Sequence, residues 1–375
     1  MLQCDAAVCG VGAMGGAALY HLARRGLRAV GIERVAPGHD GGSSHGLTRM
    51  IRLSYFEHPA YVPLLRRTYA LWRELEQAAQ RPLLHRTGIL EIGSPSGSLV
   101  ASTLAAARLH DLPHAILTAR ELMRRFPIFQ VPADFVAVLQ PDGGFVEAQA
   151  AIAAHVALAR ASGATLRTGE SVLGVDPRGD RVRIVTDRGT IEAATAIIAA
   201  GPWVTKLLPD ARLPLRVTRQ ALGWFAPRAG APFAGGQHPV FLMESRHGIH
   251  YGIPFAAEPG LKFARHHHAD ETVDPDACDR TVSAADEALI RAALAEHLPD
   301  ADGPLVAAKT CLYTMTPDGD FLIDRLPDAP NVIVVSPCSG HGFKFAPVIG
   351  EILADLATTE TSEHDVSRFR AGRFG

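Results

Sequence analysis

Residues 6–34, AAVCGVGAMGGAALYHLARRGLRAVGIER, read as a strand, a tight turn, a helix and a second strand. Gly10, Gly12 and Gly15 form G-x-G-x-x-G. The first glycine permits the turn, the second lets backbone approach a pyrophosphate, and the third lets the helix pack on the strand. The helix N-terminus then presents free N–H groups and the positive end of its dipole to the phosphates. Gly26 ends that helix, and the second strand closes on Glu33, about twenty residues downstream, where an acid bonds ribose hydroxyls. The strand before, the helix after and the spaced acid together predict a dinucleotide site. A carboxylate at Glu33 disfavours a 2′-phosphate, which leaves NAD or FAD.

Two further stretches favour FAD. Past Glu33 the strand–helix alternation stops, and residues 38–56, GHDGGSSHGLTRMIRLSYF, form a glycine/serine loop carrying His45, Thr48, Arg49 and Arg52. Residues 331–357, NVIVVSPCSGHGFKFAPVIGEILADLA, read as a buried strand, a glycine-bearing loop and a helix. Pro347 suits the first turn of that helix, and Val348, Ile349, Ile352, Leu353 and Leu356 make one apolar face. Its N-terminus can stabilise negative charge on a reduced flavin ring while the first helix holds the pyrophosphate.

The rest of the chain divides by pattern. Residues 58–80 read as a long amphipathic helix, and 84–145 mix strands (GILEIG, FVAVLQ) with helices (SLVASTLAAARLH, RELMRRFP). Residues 143–164 read as helical. Short strands SVLGVD, RVRIVTD, GTIEA and TAIIAAG follow, and 213–320 are strand-rich around a helix at 283–298. The expected fold class is α/β combined with α+β. A Rossmann-like FAD-binding domain would be built from residues 1–83, 146–212 and 321–375, with a mixed-sheet catalytic domain inserted as 84–145 and 213–320.

The composition, 47% hydrophobic and 20% charged over 375 residues with a net charge of -2, is that of a soluble globular protein. Near-neutral charge gives no reason to expect nucleic acid or a membrane surface as partner. Apolar runs such as 193–201 are too short to span a bilayer. Five scattered cysteines with no CxxC fit a reducing compartment. A glycine motif beginning at Gly10 leaves no room for a signal peptide, so a cytoplasmic location is expected.

Only four of the 37 basic residues are lysine, and Lys262 and Lys344 sit inside apolar segments that ask for a specific explanation. In a strand, Lys262 and His266 share a face and can meet a ligand together. Thr48, Arg49 and Arg52 fall on one side of a helical turn. Histidines 266–268 would alternate faces in a strand, so no metal site is expected. Cys311 and Cys338 are both partnerless: each reads either as a packed core thiol or as a group bonded to the cofactor.

Five dispersed stretches occur in one order: GSSHGLTRMIRLSY, GIHYGIP, GLKFARHH, TCLYTMTPDGDFLID and SGHGFKF. Together they resemble the monomeric sarcosine oxidase and N-methyltryptophan oxidase family of flavin amine oxidases, from Asp5 to the C-terminal HDVSRFRAGRF. The resemblance implies flavin at the interface of two domains, carried by Cys311 through a thioether to its 8α-methyl carbon. It implies that Lys262 promotes reaction of reduced flavin with oxygen, and that Arg52 and Lys344 bind the substrate carboxylate, with Thr48 in the same group. It implies that His45, Arg49, Tyr251, His266 and Tyr313 line the flavin or substrate cavity, and that Ser43, Gly201, Gly342 and Phe343 complete the cofactor contacts. Two departures stand out: Leu47 replaces a common aspartate, removing a potential partner for a nearby arginine, and His250 replaces a common tyrosine.

The activity this implies is oxidation of a secondary amino acid such as sarcosine to an imine, with oxygen reduced to hydrogen peroxide, and a monomer is expected. Cyclic imino acids or bulky N-alkyl amino acids are the nearest alternative substrates. An NAD-linked dehydrogenase or a nonenzymatic dinucleotide-binding sensor are the alternatives of another class. No residue declares itself as the base that deprotonates the amine.

Overall fold

A computed structural model describes residues 2–228, 238–254 and 260–375. The fold is mixed α/β and rests on two eight-stranded sheets and a small third one. In the first sheet the strand Leu2–Cys9 pairs in parallel with Ala29–Glu33 on one side and with Gly189–Ile198 on the other. Ala6 to Cys9 are buried without alternation, the pattern of a parallel strand covered on both faces. The helix Ala13–Arg24 is buried from Ala13 to Ala23. It packs between the sheet and the helices Ala148–Ala161 and Ala346–Thr359. Val348, Ile349, Ile352, Leu353 and Leu356 all enter that core, as the periodicity predicts.

The second sheet runs Leu305–Met315, Arg216–Phe225, Leu261–Arg265, Gly248–Pro254, Val240–Ser245, Ile89–Gly93, Val136–Gln140 and Ala115–Thr118. Phe225, Phe241, Phe263 and Leu294 centre its own core, to which the helix Ala284–His297 contributes. Ser283 starts that helix as half of a reciprocal capping box with Asp286.

Strand membership follows the chain in alternating blocks. The first sheet takes strands from residues 2–33, 165–198 and 322–336, and the second takes them from 89–140 and 216–315. Among the described residues no helix is long and apolar enough to cross a membrane.

Three local expectations are corrected. Thr48–Ile51 is a strand, not a helical turn, because it pairs antiparallel with Gly144–Glu147. Thr48 and Arg49 therefore point to opposite sides. For the same reason Gly144–Glu147 is strand, and the helix expected over 143–164 begins only at Ala148. Leu84–His85 completes this third sheet. GTIEA and TAIIAAG are one strand, Gly189–Ile198. Its first half pairs with Arg181–Thr186, and its second half with Ala329–Ser336. Partners remote in sequence decide the first two and the second half of this last strand, which local propensity does not register.

Candidate functional site

A cavity of ≈ 470 Å³ lies between the two large sheets, with Gly10, Gly12 and Glu33 at one end and Arg52, His266 and Lys344 at the other. At the first end a Cβ on Gly15 would sit 1.8 Å from the Gly10 carbonyl oxygen, so only glycine lets the helix pack here. A Cβ on Gly12 would meet nothing closer than Ser44 Oγ at 3.4 Å and would project into the cavity. The helix starting at Ala13 has no acidic side chain in its first turn, leaving its positive end unopposed. Glu33 accepts from Val11 N–H at 2.8 Å and from Val35 N–H at 3.3 Å. Burial acts to raise its pKa, but His39 and these two bonds hold the carboxyl below the usual range. A bare glycine cradle, a helix start whose Ala13 N–H meets only the neutral Ser44 hydroxyl at 3.3 Å, and a fixed carboxylate together fit a dinucleotide.

Trp203 and Gly201 extend this end of the cavity. Trp203 Nε1 donates to Asp276 at 2.7 Å, the Arg34 guanidinium lies 4.2 Å from the Trp203 ring centre, and Lys206 bridges Asp274 and Asp276. Lys206 is thus half-exposed but tied to the loop of Asp274 and Asp276, which lines the cavity beside it.

In the middle, Arg49 donates to the carbonyls of Ser43 at 3.2 Å, Thr48 at 2.9 Å and His45. These carbonyls engage the guanidinium although Leu47 offers it no carboxylate. Lys262, 3% exposed, donates to the Thr48 carbonyl at 2.8 Å and lies 5.7 Å from the Trp224 ring centre. Cys311 is buried, with Sγ 3.7 Å from the Ser43 carbonyl oxygen. Cys338 lines the same cavity, and burial pushes its thiol up to about 12. Ser43, Thr48, Gly342 and Phe343 are also on the wall. His45 is not: it lies 1% exposed, with neither ring nitrogen hydrogen-bonded among the described residues. Burial, helped by Arg49, Lys309 and Lys262, pushes it down to about 3 and keeps it neutral.

At the far end His266 Nδ1 is 3.4 Å from the Tyr313 hydroxyl, and Tyr251 stands on the same wall. Burial holds His266 well below its ordinary value and pushes Tyr251 up to about 12. Lys344 donates to the Tyr55 hydroxyl at 3.1 Å and to the His341 carbonyl at 2.7 Å. Burial and the neighbouring Arg52 push it down to about 7, with Glu57 pulling the other way. Arg52 Nη2 donates to both oxygens of Glu57, at 2.8 and 2.6 Å, and its Nε lies 3.2 Å from Glu91 Oε1. Burial opposes ionisation of Glu57, but Arg52, His341 and Lys344 hold it down to about 2. Glu57 and Glu91 escaped the sequence reading. The one signal was a carboxylate five residues past Arg52; nothing local marks Glu91.

Residues 5–356 match the family model described as FAD dependent oxidoreductase. The chain is 40% identical over 371 residues to a monomeric sarcosine oxidase of Streptomyces avermitilis, covering 97% of this chain and 96% of that protein. It is 35% identical to an N-methyl-L-tryptophan oxidase of Salmonella newport, with both chains fully covered. Among solved structures it superposes on NikD, described as an unusual amino acid oxidase essential for nikkomycin biosynthesis. The TM-score is 0.88 at 29% identity, over 99% of this chain and 98% of that one. With the cradle, the carboxylate at Glu33 and these matches over nearly its whole length, the chain belongs to the family of FAD dependent oxidoreductases.

Proposed function

We propose that the protein is an FAD-dependent oxidase of secondary amino acids, N-methyl amino acids first among them. The observation that carries this reading is the pair of buried cations, Arg52 and Lys344, brought from opposite ends of the chain to one end of the cavity that also holds Lys262 and Cys311. The names of the relatives, sarcosine and N-methyltryptophan oxidases, support it.

Arg52 and Lys344 bind the substrate carboxylate by charge-assisted hydrogen bonds, and the walls at Tyr251, His266 and Tyr313 exclude water and orient the amine. Burial keeps His266 neutral, so it presents an uncharged ring on that wall and adds no cation that would repel the amine. FAD, when bound, supplies the acceptor for the hydride equivalent from the carbon next to nitrogen and hands the electrons to oxygen, giving hydrogen peroxide. Lys262 places a fixed cation where negative charge develops during that hand-over. The imine product is hydrolysed by water.

Cys311 holds the cofactor as a thioether in this reading. The resemblance carried by TCLYTMTPDGDFLID favours Cys311 over its rival Cys338, and a thiolate is the nucleophile in such a bond. The two large sheets would correspond to a cofactor domain and a catalytic domain, in a monomer working in the cytoplasm.

Peroxide release by the purified holoprotein tests the proposal, with sarcosine, N-methyltryptophan, proline and pipecolate compared with amines lacking a carboxylate. Peroxide is expected from at least one N-methyl amino acid and from no carboxylate-free amine. A yellow protein giving peroxide with none of them would leave a binding protein in its place.

A further inference from the structure

Glu91 lies on the strand Ile89–Gly93 with no exposed surface. A wholly buried carboxylate needs donors or a counter-charge to persist there. The Gln140 side-chain amide donates to its Oε2, and Gln140 is itself fixed, because its Oε1 accepts from Ser54 N–H at 2.9 Å. The Thr103 hydroxyl of the helix Ser98–Leu109 also faces the carboxylate. Glu91 Oε1 and Arg52 Nε are both buried, and neither makes a hydrogen bond among the described residues. They lie 3.2 Å apart, each the ion-pair partner of the other. Arg52 and Glu57 line the cavity, whereas Glu91 stands behind them. One guanidinium thus carries two carboxylates, Glu57 on Nη2 and Glu91 on Nε.

We propose that Glu91 is a positioning residue for the carboxylate anchor, clamping the Nε edge of Arg52 from the rear while its charge sets how strongly that guanidinium draws a substrate carboxylate. The inference rests on the anchoring role given above to Arg52. Charge balance carries it. With Glu91 ionised, the Arg52 guanidinium already carries two carboxylates and a substrate carboxylate makes a third around it, whether or not Lys344 keeps its proton. With a proton on Glu91, the incoming carboxylate balances the cluster. Tyr55 and His341 stand with Lys344 on the other side of Arg52, with His266 beyond, and none of them brings a further anion near neutral pH. Burial and Glu57 push Glu91 up to about 8, against the pull of Arg52. Carboxylate affinity is therefore strongest with Glu91 protonated and falls as pH rises through about 8.

The probe is acetate, with acetamide as neutral control, titrated into holoenzyme and read from the flavin absorption. One buried charge a few ångströms from the guanidinium is worth on the order of tenfold in Kd. In the unmodified protein, acetate binding should weaken by that factor between about pH 7 and pH 9, beyond the loss due to Lys344. In Glu91→Gln this component disappears, and acetate binds more tightly at about pH 9 than in the unmodified protein. Glu91→Val, which removes the clamp as well as the charge, should bind acetate more weakly than Glu91→Gln at every pH. Should Glu91→Gln lose flavin, the exchange of Glu91→Gln with Gln140→Glu keeps the donor–acceptor pattern and moves the charge off the guanidinium. It should also bind acetate more tightly at high pH. Parallel pH curves in the unmodified protein and these variants would overturn the proposal. Failure of the unmodified holoenzyme to bind acetate at any pH would instead remove the anchor, and this inference with it.

Discussion

The two ends of the cavity are built from different materials. The end at Gly10–Gly15 is made of backbone: a turn, a helix N-terminus and close contacts that no side chain could enter. The end at Arg52 and Lys344 is made of buried charges, four ionisable groups whose states depend on one another. Backbone geometry works through shape and tolerates almost no change at its contact points. A buried charge cluster works through balance, so each member can be altered singly, with graded results.

The sharpest way to break this contrast is at Gly15. Valine there would drive a side chain into the Gly10 carbonyl, and the expected result is loss of bound flavin together with a lowered Tm. Flavin-to-protein ratios and thermal melts check it, and a stable, fully loaded Gly15→Val protein would refute the backbone account. Lys262→Met comes next in size. Removing one preorganised cation should slow the reaction of reduced flavin with oxygen by on the order of 10²–10³, and the reductive half-reaction by less. Stopped-flow traces of the two half-reactions decide this; slowing of reduction alone would make Lys262 a substrate residue.

Arg52→Met and Lys344→Met should each weaken carboxylate binding by roughly tenfold to a hundredfold, the worth of a charge-assisted hydrogen bond of about 1.5–3 kcal/mol, while flavin is retained. Lys344 also sets a sign for pH. The ammonium must keep its proton to hold an anion, so affinity falls as pH rises through about 7. Lys344→Met should remove that limb from a plot of log Kd against pH. The smallest effect is expected at Lys206, which bridges Asp274 and Asp276 in the open. Exposed ion pairs are screened and contribute little. Lys206→Met should leave melts and flavin retention within replicate scatter, and a clear loss of flavin would show that the loop over the cavity is held there after all.

The same contrast explains what could be read from sequence. The backbone end is written in contiguous residues: glycine spacing, the helix period and the position of Glu33 all lie within residues 6–34. The helix at Ala346–Thr359 and its apolar face were legible for the same reason. The charged end is assembled from the third sheet, the strand at Ile89–Gly93 and the loop before the last helix. Its partners are therefore remote in sequence. Arg52 and Lys344 could be singled out, but the counter-charge at Glu91 could not, because in sequence it is one glutamate in an apolar strand. The strand at Thr48–Ile51 was missed because pairing with Gly144–Glu147 outweighs its local preference. His45 was expected on the cavity wall, yet its ring is buried and is not among the residues that line the cavity.

The splitting of the first sheet has a consequence for how the protein is made. The strand Leu2–Cys9 leaves the ribosome before its parallel partner Gly189–Ile198 and the neighbouring strand Ala329–Ser336, which follow nearly 190 and 330 residues later. Pairings so distant are slow to form, and the unfinished sheet edge stays open meanwhile. The glycine cradle is therefore translated before the strands that complete its sheet. Cofactor loading waits on the C-terminal strand, and nascent chains stalled before Ser336 present an unpaired apolar strand edge to whatever chaperone or neighbouring chain is at hand.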